Sequence, residues 1–331
     1  MDEKLKLQGA AVAASSLSPS AGSRIDGLGA YRPVAVVTNE EAATAAGVSP
    51  EWISNRVGVE ERSHAREAET VVTMAVAAGK EALADCDATA DDVDVVLLST
   101  CSMPSPMPNG AASTAAAIGC TAAAGFDLNA ACSGFCHGLA VADALVRAGT
   151  ARSVLVIGSE RMTDWVAPED RDTGPIFADG AAAALVVPSA EPAIFPVAWG
   201  SDGTHSDLIR IPSETSRMEM AGRKVFRWTT SELAAVMQVA CERAGLEPAD
   251  LRAFVPHQAN LRIIEALRQG LGAPDLVTAT DVTNAGNTSA ASVPLALHAL
   301  RQRGDVSRGD PVLLFGFGAG LCYAAQVVLC P

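Results

Sequence analysis

Three residues of this chain have side chains that could carry out covalent chemistry together: Cys132, His257 and Asn287. Cys132 follows the run Phe126–Ala130, which is typical of a short strand, and precedes apolar residues at helical spacing, so we predict a strand-to-helix junction. Free N–H groups and the helix dipole favour an anion at such a junction, which predicts a lowered thiol pKa and a nucleophilic sulfur. The alternative is that Cys132 is a small core residue of an alanine-rich helix.

His257 and Asn287 lie in segments that suit partners for this thiol. His257 follows the apolar strand pattern Leu251–Pro256, and Asn287 lies in a polar turn, Thr283–Ala290, that leads into a helix pattern. Ligands of open α/β sheets bind at the carboxyl ends of the strands. A lone histidine or a lone turn asparagine is usually structural. A thiol, a general base and an amide donor at such junctions, however, are the components of a working site.

The elements that would position these residues alternate between strand and helix patterns in both halves of the chain. Buried strands are predicted at 93–100, 126–130, 153–158, 181–187, 251–256 and 311–318. Helices are predicted at 49–56, 69–84, 111–118, 232–244, 260–269 and 289–300. This order predicts an α/β fold with layered parallel sheets. Because the two halves share a similar order of elements, it also suggests an internal duplication.

The composition excludes several classes of function. The 331 residues are 49% apolar but only 4% aromatic, which suits helices packed closely over parallel strands. A net charge of −14 argues against a nucleic-acid partner, since phosphate contacts need a positive face. The eight cysteines show no paired pattern, which indicates reduced thiols and a cytoplasmic protein. Cys132, Cys136 and His137 have no further ligands nearby, so no metal site is predicted.

The chain divides into a leader and two halves. Residues 1–23 open with several charged residues and continue as a run rich in Ala, Ser, Gly and Pro, which predicts a flexible leader. Its apolar part is too short and broken for a signal peptide or a membrane span, so no membrane association is expected. Residues 24–188 form the predicted half that carries the cysteine, and residues 189–331 form the half that carries the histidine and the asparagine.

Several short motifs match those of one known family. Three surround the candidate residues: ACSGF from Ala131, VPHQANLRII from Val255 and GNTSAASVP from Gly286. Further landmarks are the runs GVEER, FADGAA and FGFGAG, which begin at Gly58, Phe177 and Phe315. From about Arg24 to its C-terminus the chain resembles the β-ketoacyl-acyl-carrier-protein synthase III family, especially actinobacterial members, including those that start aromatic polyketides. The resemblance implies the thiolase fold, with duplicated halves in five αβαβα layers, and a homodimer.

The resemblance also implies a decarboxylative condensation. Cys132 would take an acyl group from a coenzyme A thioester. His257 and Asn287 would hydrogen-bond the carbonyl of malonyl-acyl carrier protein and stabilise the enolate formed as CO2 leaves. The carbanion would attack the acyl-Cys132 thioester, and the N–H groups of Cys132 and Ala319 would hold the resulting oxyanion. The negative charge that develops on the enolate and on the oxyanion would thus be stabilised by hydrogen-bond donors that are already in position. Coenzyme A thioester is a substrate in this scheme, and no cofactor is implied.

Other residues match positions that hold the substrates. Trp52 and Arg171 would sandwich the adenine of coenzyme A, a role that suits a guanidinium plane. Arg56 matches a phosphate contact of coenzyme A, while Arg262 and Arg227 match contacts that dock the carrier protein. The alternative is that Trp52 packs in a core and that the arginines are simply solvated.

Two residues match positions that shape the acyl pocket. Phe317 matches the phenylalanine that gates the malonyl group. Met107 lies in a run with three prolines, which in the family reaches across the dimer and closes the far end of the partner's acyl pocket. Because methionine is flexible, we expect starters longer or more branched than acetyl to be accepted.

Two other functions stay open on the sequence alone. One is an acyltransferase of the same fold that moves an acyl group to an alcohol, amine or carrier without condensation; His257 and Asn287 argue against it, because such an enzyme needs no enolate-stabilising pair. The other is a non-catalytic partner that only binds carrier protein; Cys132 argues against it, since such partners tend to lose the nucleophile. Fatty-acid and polyketide initiation are not distinguished.

Overall fold

The computed structural model describes residues 18–331, so most of the predicted leader 1–23 lies outside the described residues. Strand β1 already begins at Gly22. Before it, the N–H of Ser20 donates to the carbonyl of Arg147 at 3.0 Å. From Ser20 onward the leader is therefore tied to the first half of the fold.

The principal helices and strands predicted from the sequence are present, with ends that differ by a few residues. The first half contains β1 (Gly22–Tyr31), β2 (Ala35–Thr38), α1 (Asn39–Ala46), α2 (Pro50–Arg56), β3 (Glu61–His64), α3 (Val71–Asp85), β4 (Val95–Ser99), α4 (Gly110–Ile118), β5 (Ala124–Leu128), α5 (Gly134–Arg147), β6 (Val154–Arg161) and β7 (Asp179–Ser189). The second half contains β8 (Ala198–Ser201), β9 (Ile209–Arg210), β10 (Glu219–Met220), α6 (Gly222–Glu232), α7 (Ala234–Ala244), β11 (Ala253–Pro256), α8 (Leu261–Leu271), β12 (Val277–Thr278), α9 (Val282–Ala285), α10 (Ser292–Arg303), β13 (Pro311–Gly318) and β14 (Cys322–Leu329).

Each half builds a five-stranded sheet, ordered β1-β7-β6-β4-β5 in the first and β8-β14-β13-β11-β12 in the second. The two orders correspond strand for strand, and α3, α4 and α5 occupy the same places in the chain as α7, α8 and α10. The predicted duplication is thereby confirmed. The predicted parallel sheets are wrong in part: β4, β5 and β6 are parallel, as are β11, β12 and β13, but β7 and β14 turn back and pair antiparallel with the strands before them.

The helices and sheets form five layers. Helices α3 and α4 cover the outer face of the first sheet, α5 and α10 lie between the sheets, and α7 and α8 cover the outer face of the second. On β4, Leu97 faces the central helices while Val96 and Leu98 face the outer ones, because side chains alternate along a strand. Both faces are buried, which explains the continuous apolar run. The predicted αβαβα arrangement is confirmed.

A smaller cluster places the α2 segment against the second half. Ile53 and Val57 pack with Ile264 of α8 and Phe177 in one apolar group. Gly58 has φ of 80°, and a Cβ there would lie 2.4 Å from the Cβ of Leu261, so glycine is needed where the halves meet. Within residues 18–331, no helix is long and apolar enough to cross a membrane.

Candidate active site

A cavity of about 1220 Å³ opens between the two halves, and most of the predicted site residues line it. They are Trp52, Arg56, Cys132, Arg171, His257, Arg262, Asn287, Phe317 and Ala319. Two predicted residues lie elsewhere. Arg227 is exposed on α6, and Met107 is 81% exposed on the loop between β4 and α4.

Cys132 lies on a tight 3-10 turn, Ala131–Ser133, between β5 and α5. Ala131 adopts a φ of 45°, an uncommon value for a residue with a Cβ. Strand β13 approaches this turn so closely that a Cβ on Gly318 would lie 2.7 Å from the Cβ of Cys132. Glycine is therefore required at Gly318, which explains part of the FGFGAG motif.

The environment of the Cys132 sulfur favours the neutral thiol. Burial raises its pKa to about 11, although the Ser289 hydroxyl and the N–H groups of Cys132 and Ala319 act in the opposite direction. The predicted lowering of the thiol pKa is therefore wrong. Cys132 precedes α5 rather than lying in its first turn, and loss of bulk solvent outweighs the helix dipole. Both N–H groups nevertheless meet at the sulfur, where an oxyanion on an acyl-Cys132 would form.

His257 directly follows β11 and is held in one orientation. Its N–H donates to the carbonyl of Phe315 at 2.6 Å, and its Nδ1 lies 2.6 Å from the Ser292 hydroxyl. That hydroxyl already accepts the N–H of Gln258 at 3.3 Å, so its own proton goes to Nδ1. Burial lowers the pKa of His257 to about 3, so the ring is neutral. Its hydrogen consequently lies on Nε2, which makes Nε2 a donor.

Asn287 is fixed by its backbone and by one side-chain atom. Its N–H donates to the carbonyl of Ile176, and its carbonyl accepts the N–H of Ala178, each at 2.9 Å. The side-chain Oδ1 accepts the N–H of Ser289 at 2.9 Å, which leaves the Nδ2 donors for the cavity. His257 and Asn287 thus both supply N–H donors to one cavity, an arrangement that suits an enolate oxygen.

Phe317 covers His257. The two ring centroids are 5.3 Å apart and the planes meet at 78°. The Phe315 ring lies 5.2 Å behind Phe317. Phe317 therefore forms an apolar wall beside the donor pair, which fits the gating role implied by the family resemblance.

Basic side chains concentrate at the rim of the cavity. The guanidinium carbon of Arg171 lies 5.0 Å from the ring centroid of Trp52. On the α6 side, Arg262 lies over Phe226 at 5.3 Å. Arg227 follows Phe226 on α6, is exposed and is not part of the cavity lining. In a chain of net charge −14, this rim is a local positive region that suits an anionic substrate handle.

Two buried polar residues beside Cys132 were not predicted. The Oγ of Ser289 lies 3.5 Å from the Cys132 sulfur and donates to Glu160 at 2.9 Å. Glu160 is fully buried near the end of β6. The sequence did contain two signals: a carboxylate shortly after a buried strand pattern, and a serine inside the third motif.

The fold and the site define the class of this protein: a thiolase-fold enzyme with a Cys-His-Asn cavity. Residues 126–203 match the family model of 3-oxoacyl-[acyl-carrier-protein (ACP)] synthase III, and residues 241–330 match the model of its C-terminal part. Beta-ketoacyl-[acyl-carrier-protein] synthase III 4 of Streptomyces coelicolor is 48% identical over 94% of this chain and 99% of its own length.

Two further relatives agree. The mycobacterial beta-ketoacyl-[acyl-carrier-protein] synthase III of Mycobacterium marinum is 43% identical over 92% of this chain and 94% of its own length. The priming β-ketosynthase from the R1128 polyketide biosynthetic pathway superposes with a TM-score of 0.92 at 42% identity, covering 95% of this chain and 97% of that one. The chain belongs to the β-ketoacyl-[acyl-carrier-protein] synthase III family of acyl-transferring condensing enzymes. The family resemblance and the thiolase fold are both confirmed.

Proposed function

We propose that this enzyme condenses an acyl starter, delivered as a coenzyme A thioester, with malonyl-acyl carrier protein and so initiates fatty-acid or polyketide synthesis. The observation that carries the proposal is the convergence of two donor pairs on one cavity. The N–H groups of Cys132 and Ala319 meet at the sulfur, while His257 and Asn287 supply side-chain donors. The relatives are themselves named beta-ketoacyl-[acyl-carrier-protein] synthases.

Each donor pair has its own step in the mechanism. During acylation the Cys132 sulfur attacks the thioester carbonyl, and the two backbone N–H groups hold the oxyanion. During condensation the malonyl carbonyl binds between His257 Nε2 and Asn287 Nδ2, which stabilise the enolate as CO2 leaves. The carbanion then attacks the acyl-Cys132 thioester. Because these donors are already fixed by the fold, they lower both barriers without reorganisation.

Mass spectrometry of the intact protein in two stages tests this proposal. Incubation with butyryl-coenzyme A should add one butyryl group to the peptide that contains Cys132. Addition of malonyl-acyl carrier protein should then remove that group and yield a β-ketoacyl carrier protein with release of CO2. An acyltransferase would pass on the acyl group without releasing CO2. A non-catalytic partner would never form the adduct, and either result would contradict the proposal.

The Trp52–Arg171 pair is proposed to hold the nucleotide of coenzyme A, with Arg56 at its phosphates. Base stacking on an aromatic ring contributes about 1–3 kcal/mol. Trp52→Ala and Arg171→Ala should each raise KM for acyl-coenzyme A about tenfold with little change in kcat. Neither should affect an acyl-N-acetylcysteamine thioester, which lacks the nucleotide. Trp199→Ala is a matched control, because Trp199 is half-exposed on β8 and outside the cavity. Equal losses with both substrates would contradict the clamp.

A homodimer is proposed from the first sheet, whose last strand β5 pairs with β4 on one side and has no strand partner on the other among the described residues. Phe126 on β5 is 39% exposed and Met107 is 81% exposed. An open strand edge beside exposed apolar side chains suits pairing with a second copy. Met107 would then close the acyl pocket of the partner.

Met107→Phe should therefore shift the starter preference towards acetyl. The ratio of kcat/KM for hexanoyl- over acetyl-coenzyme A should fall by roughly 10- to 200-fold, the range that a few methylenes provide. Butyryl- and isobutyryl-coenzyme A should be measured as well, because their acyl groups lie between acetyl and hexanoyl in size. Val239→Phe is the control, since it adds a phenyl ring on exposed α7. A wild-type preference for acetyl, or an unchanged profile in Met107→Phe, would show that Met107 does not bound the pocket.

The remaining assignments are proposals of the same kind. Arg262 lines the cavity and Arg227 is exposed on α6, and both are proposed to dock the carrier protein, because basic side chains attract an acidic partner. No cofactor takes part in the proposed mechanism. All eight cysteines are free thiols, which supports a reducing, cytoplasmic location.

A further inference from the structure

Acylation of Cys132 needs a proton acceptor, because the sulfur carries its proton at neutral pH. His257 is poorly suited to this task. Its Nδ1 is occupied by the Ser292 hydroxyl, and its Nε2 carries the hydrogen that the malonyl carbonyl requires. A nitrogen that donates has no lone pair with which to take the thiol proton. Another group must accept it.

Ser289 touches the Cys132 sulfur directly. It is fully buried and has a φ of 48°, so its backbone adopts an uncommon conformation to place the side chain here. Its Oγ is 2.9 Å from Glu160 Oε1 and 3.5 Å from the sulfur. A hydroxyl has one proton, and the carboxylate is the stronger acceptor. While Cys132 is a neutral thiol, the Ser289 hydroxyl therefore donates to Glu160 and its oxygen accepts the S–H. Once the thiolate forms, the same hydroxyl donates to the sulfur, which is the direction that lowers the Cys132 pKa.

Glu160 is surrounded by donors. Its Oε2 accepts from the Ser102 hydroxyl at 2.5 Å, the Thr100 hydroxyl at 3.0 Å and the N–H of Cys101 at 3.1 Å. The Ser102 oxygen already accepts the N–H of Arg161 at 2.9 Å, so its own proton points to Glu160. Such a set of donors belongs to an ionised carboxylate.

The same carboxylate gains from accepting a proton. Burial raises the pKa of Glu160 above its ordinary value, although the hydrogen bonds from Ser102, Cys101 and Ser289 oppose the rise. No cationic side chain forms an ion pair with Glu160 among residues 18–331. Protonation therefore removes an unpaired buried charge, which makes Glu160 a stronger base than an exposed carboxylate.

We propose that Ser289 and Glu160 form a relay that takes the Cys132 proton during acylation, stores it while the acyl group is bound, and returns it after condensation. The proposal rests on the proposed function, in which Cys132 is the nucleophile. Ser289 contacts the reacting atom, and Glu160 acts through Ser289 as a positioning and proton-holding residue.

The proton balance of acylation is explicit. The S–C bond to the acyl group forms and the bond to the coenzyme A sulfur breaks. The thiol proton moves to Ser289 Oγ while the Ser289 proton moves to Glu160 Oε1. Coenzyme A leaves as a thiolate and takes a proton from solvent, because a free thiol has a pKa near 8.5.

Condensation reverses the relay. Decarboxylation leaves the negative charge of malonate on the enolate, and attack on the acyl group expels the Cys132 thiolate. The thiolate regains a proton from Ser289, which regains one from Glu160, so the free enzyme is restored with Glu160 ionised. The buried site thus holds no extra charge while the acyl group waits for malonyl carrier protein.

Proton counting during the first half-reaction tests the relay. Wild-type enzyme mixed with butyryl-coenzyme A at pH 6.5 in weak buffer should take up about one proton per acyl-Cys132 formed, followed with an indicator dye. Direct transfer of the thiol proton to coenzyme A would give no uptake. Difference infrared spectra of the acyl-enzyme should show a new carboxylic acid C=O stretch, which assigns the proton to a carboxyl group rather than to His257.

Two variants locate the acceptor. Glu160→Gln should acylate about a hundredfold more slowly and without proton uptake or the infrared band. Ser289→Ala should lose the uptake although the carboxylate remains. Ser159→Ala is the matched control, because its buried hydroxyl lies next to Glu160 in sequence but donates to Val71 at 2.7 Å. This control should keep both signals.

The outcomes separate the relay from the function on which it rests. Acylation of wild-type Cys132 without proton uptake, or undiminished uptake in Glu160→Gln, would overturn the relay. Neither result would contradict the proposed condensing function. Absence of any acyl group on Cys132 would overturn both. If Glu160→Gln fails to fold, two measurements remain. The relay requires the carboxylic acid band in the wild-type acyl-enzyme and the loss of proton uptake in Ser289→Ala, and the absence of either would refute it.

Discussion

Cys132→Ala is expected to abolish acyl-enzyme formation, while decarboxylation of malonyl-acyl carrier protein continues. The reason is that the covalent step needs the sulfur, whereas the donors of His257 and Asn287 remain in place. Intact-mass spectrometry after butyryl-coenzyme A should show no adduct. A CO2-release assay on the same sample should show residual activity, which also proves that the variant is folded.

Cys136→Ala is the control for this experiment. Cys136 lies in the first turn of α5, is fully buried and does not line the cavity. Burial raises the pKa of its thiol to about 12, and because its side chain does not line the cavity, a thioester bound there does not reach the sulfur. The control should retain the full adduct. A butyryl group that still appears in Cys132→Ala, or vanishes in Cys136→Ala, would refute the assignment of Cys132.

His257→Ala and Asn287→Ala should have the opposite pattern. Acylation should survive in both, because the hydrogen bonds to the sulfur come from Ser289 and from the N–H groups of Cys132 and Ala319, which both variants keep. Condensation should fall by about a hundredfold or more, the usual cost of removing one preorganised donor from a developing oxyanion. The measurements are single-turnover acylation by mass spectrometry and steady-state formation of the β-ketoacyl carrier protein.

His137→Ala provides the comparison for this pair. His137 is half-buried on α5, stacks on Trp199 at 5.6 Å and does not line the cavity. It should condense at nearly the wild-type rate. Near-normal condensation in both His257→Ala and Asn287→Ala would instead make these residues structural and would favour the acyltransferase alternative.

Local patterns in the sequence were enough to locate most elements. The run at 93–100 contains β4, and the helix predicted at 260–269 overlaps α8, which Asn260 caps by accepting the N–H of Arg262. Such features depend on residues close in the chain: the alternation of burial along a strand, or a polar cap before an apolar helix face. The family motifs likewise located Cys132, His257 and Asn287 because each motif is a contiguous segment.

The direction of the strands was decided by the tertiary structure. The alanine-rich β7 and the last strand β14 carry no local mark of direction, and β14 was not predicted at all. Each runs antiparallel because it turns back beside the strand that precedes it and fills the sheet next to an edge strand. Pairing partners are set by long-range packing, which no single apolar run contains.

The chemistry of the site shows the same division. The sequence by itself determined which residues meet in the cavity, because the family motifs mark them. Only the tertiary structure decided that burial raises the Cys132 pKa and that Glu160 joins Ser289, 129 positions away, beside the sulfur. Both effects come from removing side chains from water and bringing distant segments into contact. A local sequence pattern predicts neither the raised pKa nor the hydrogen bond, because desolvation and contacts between distant segments require the complete fold.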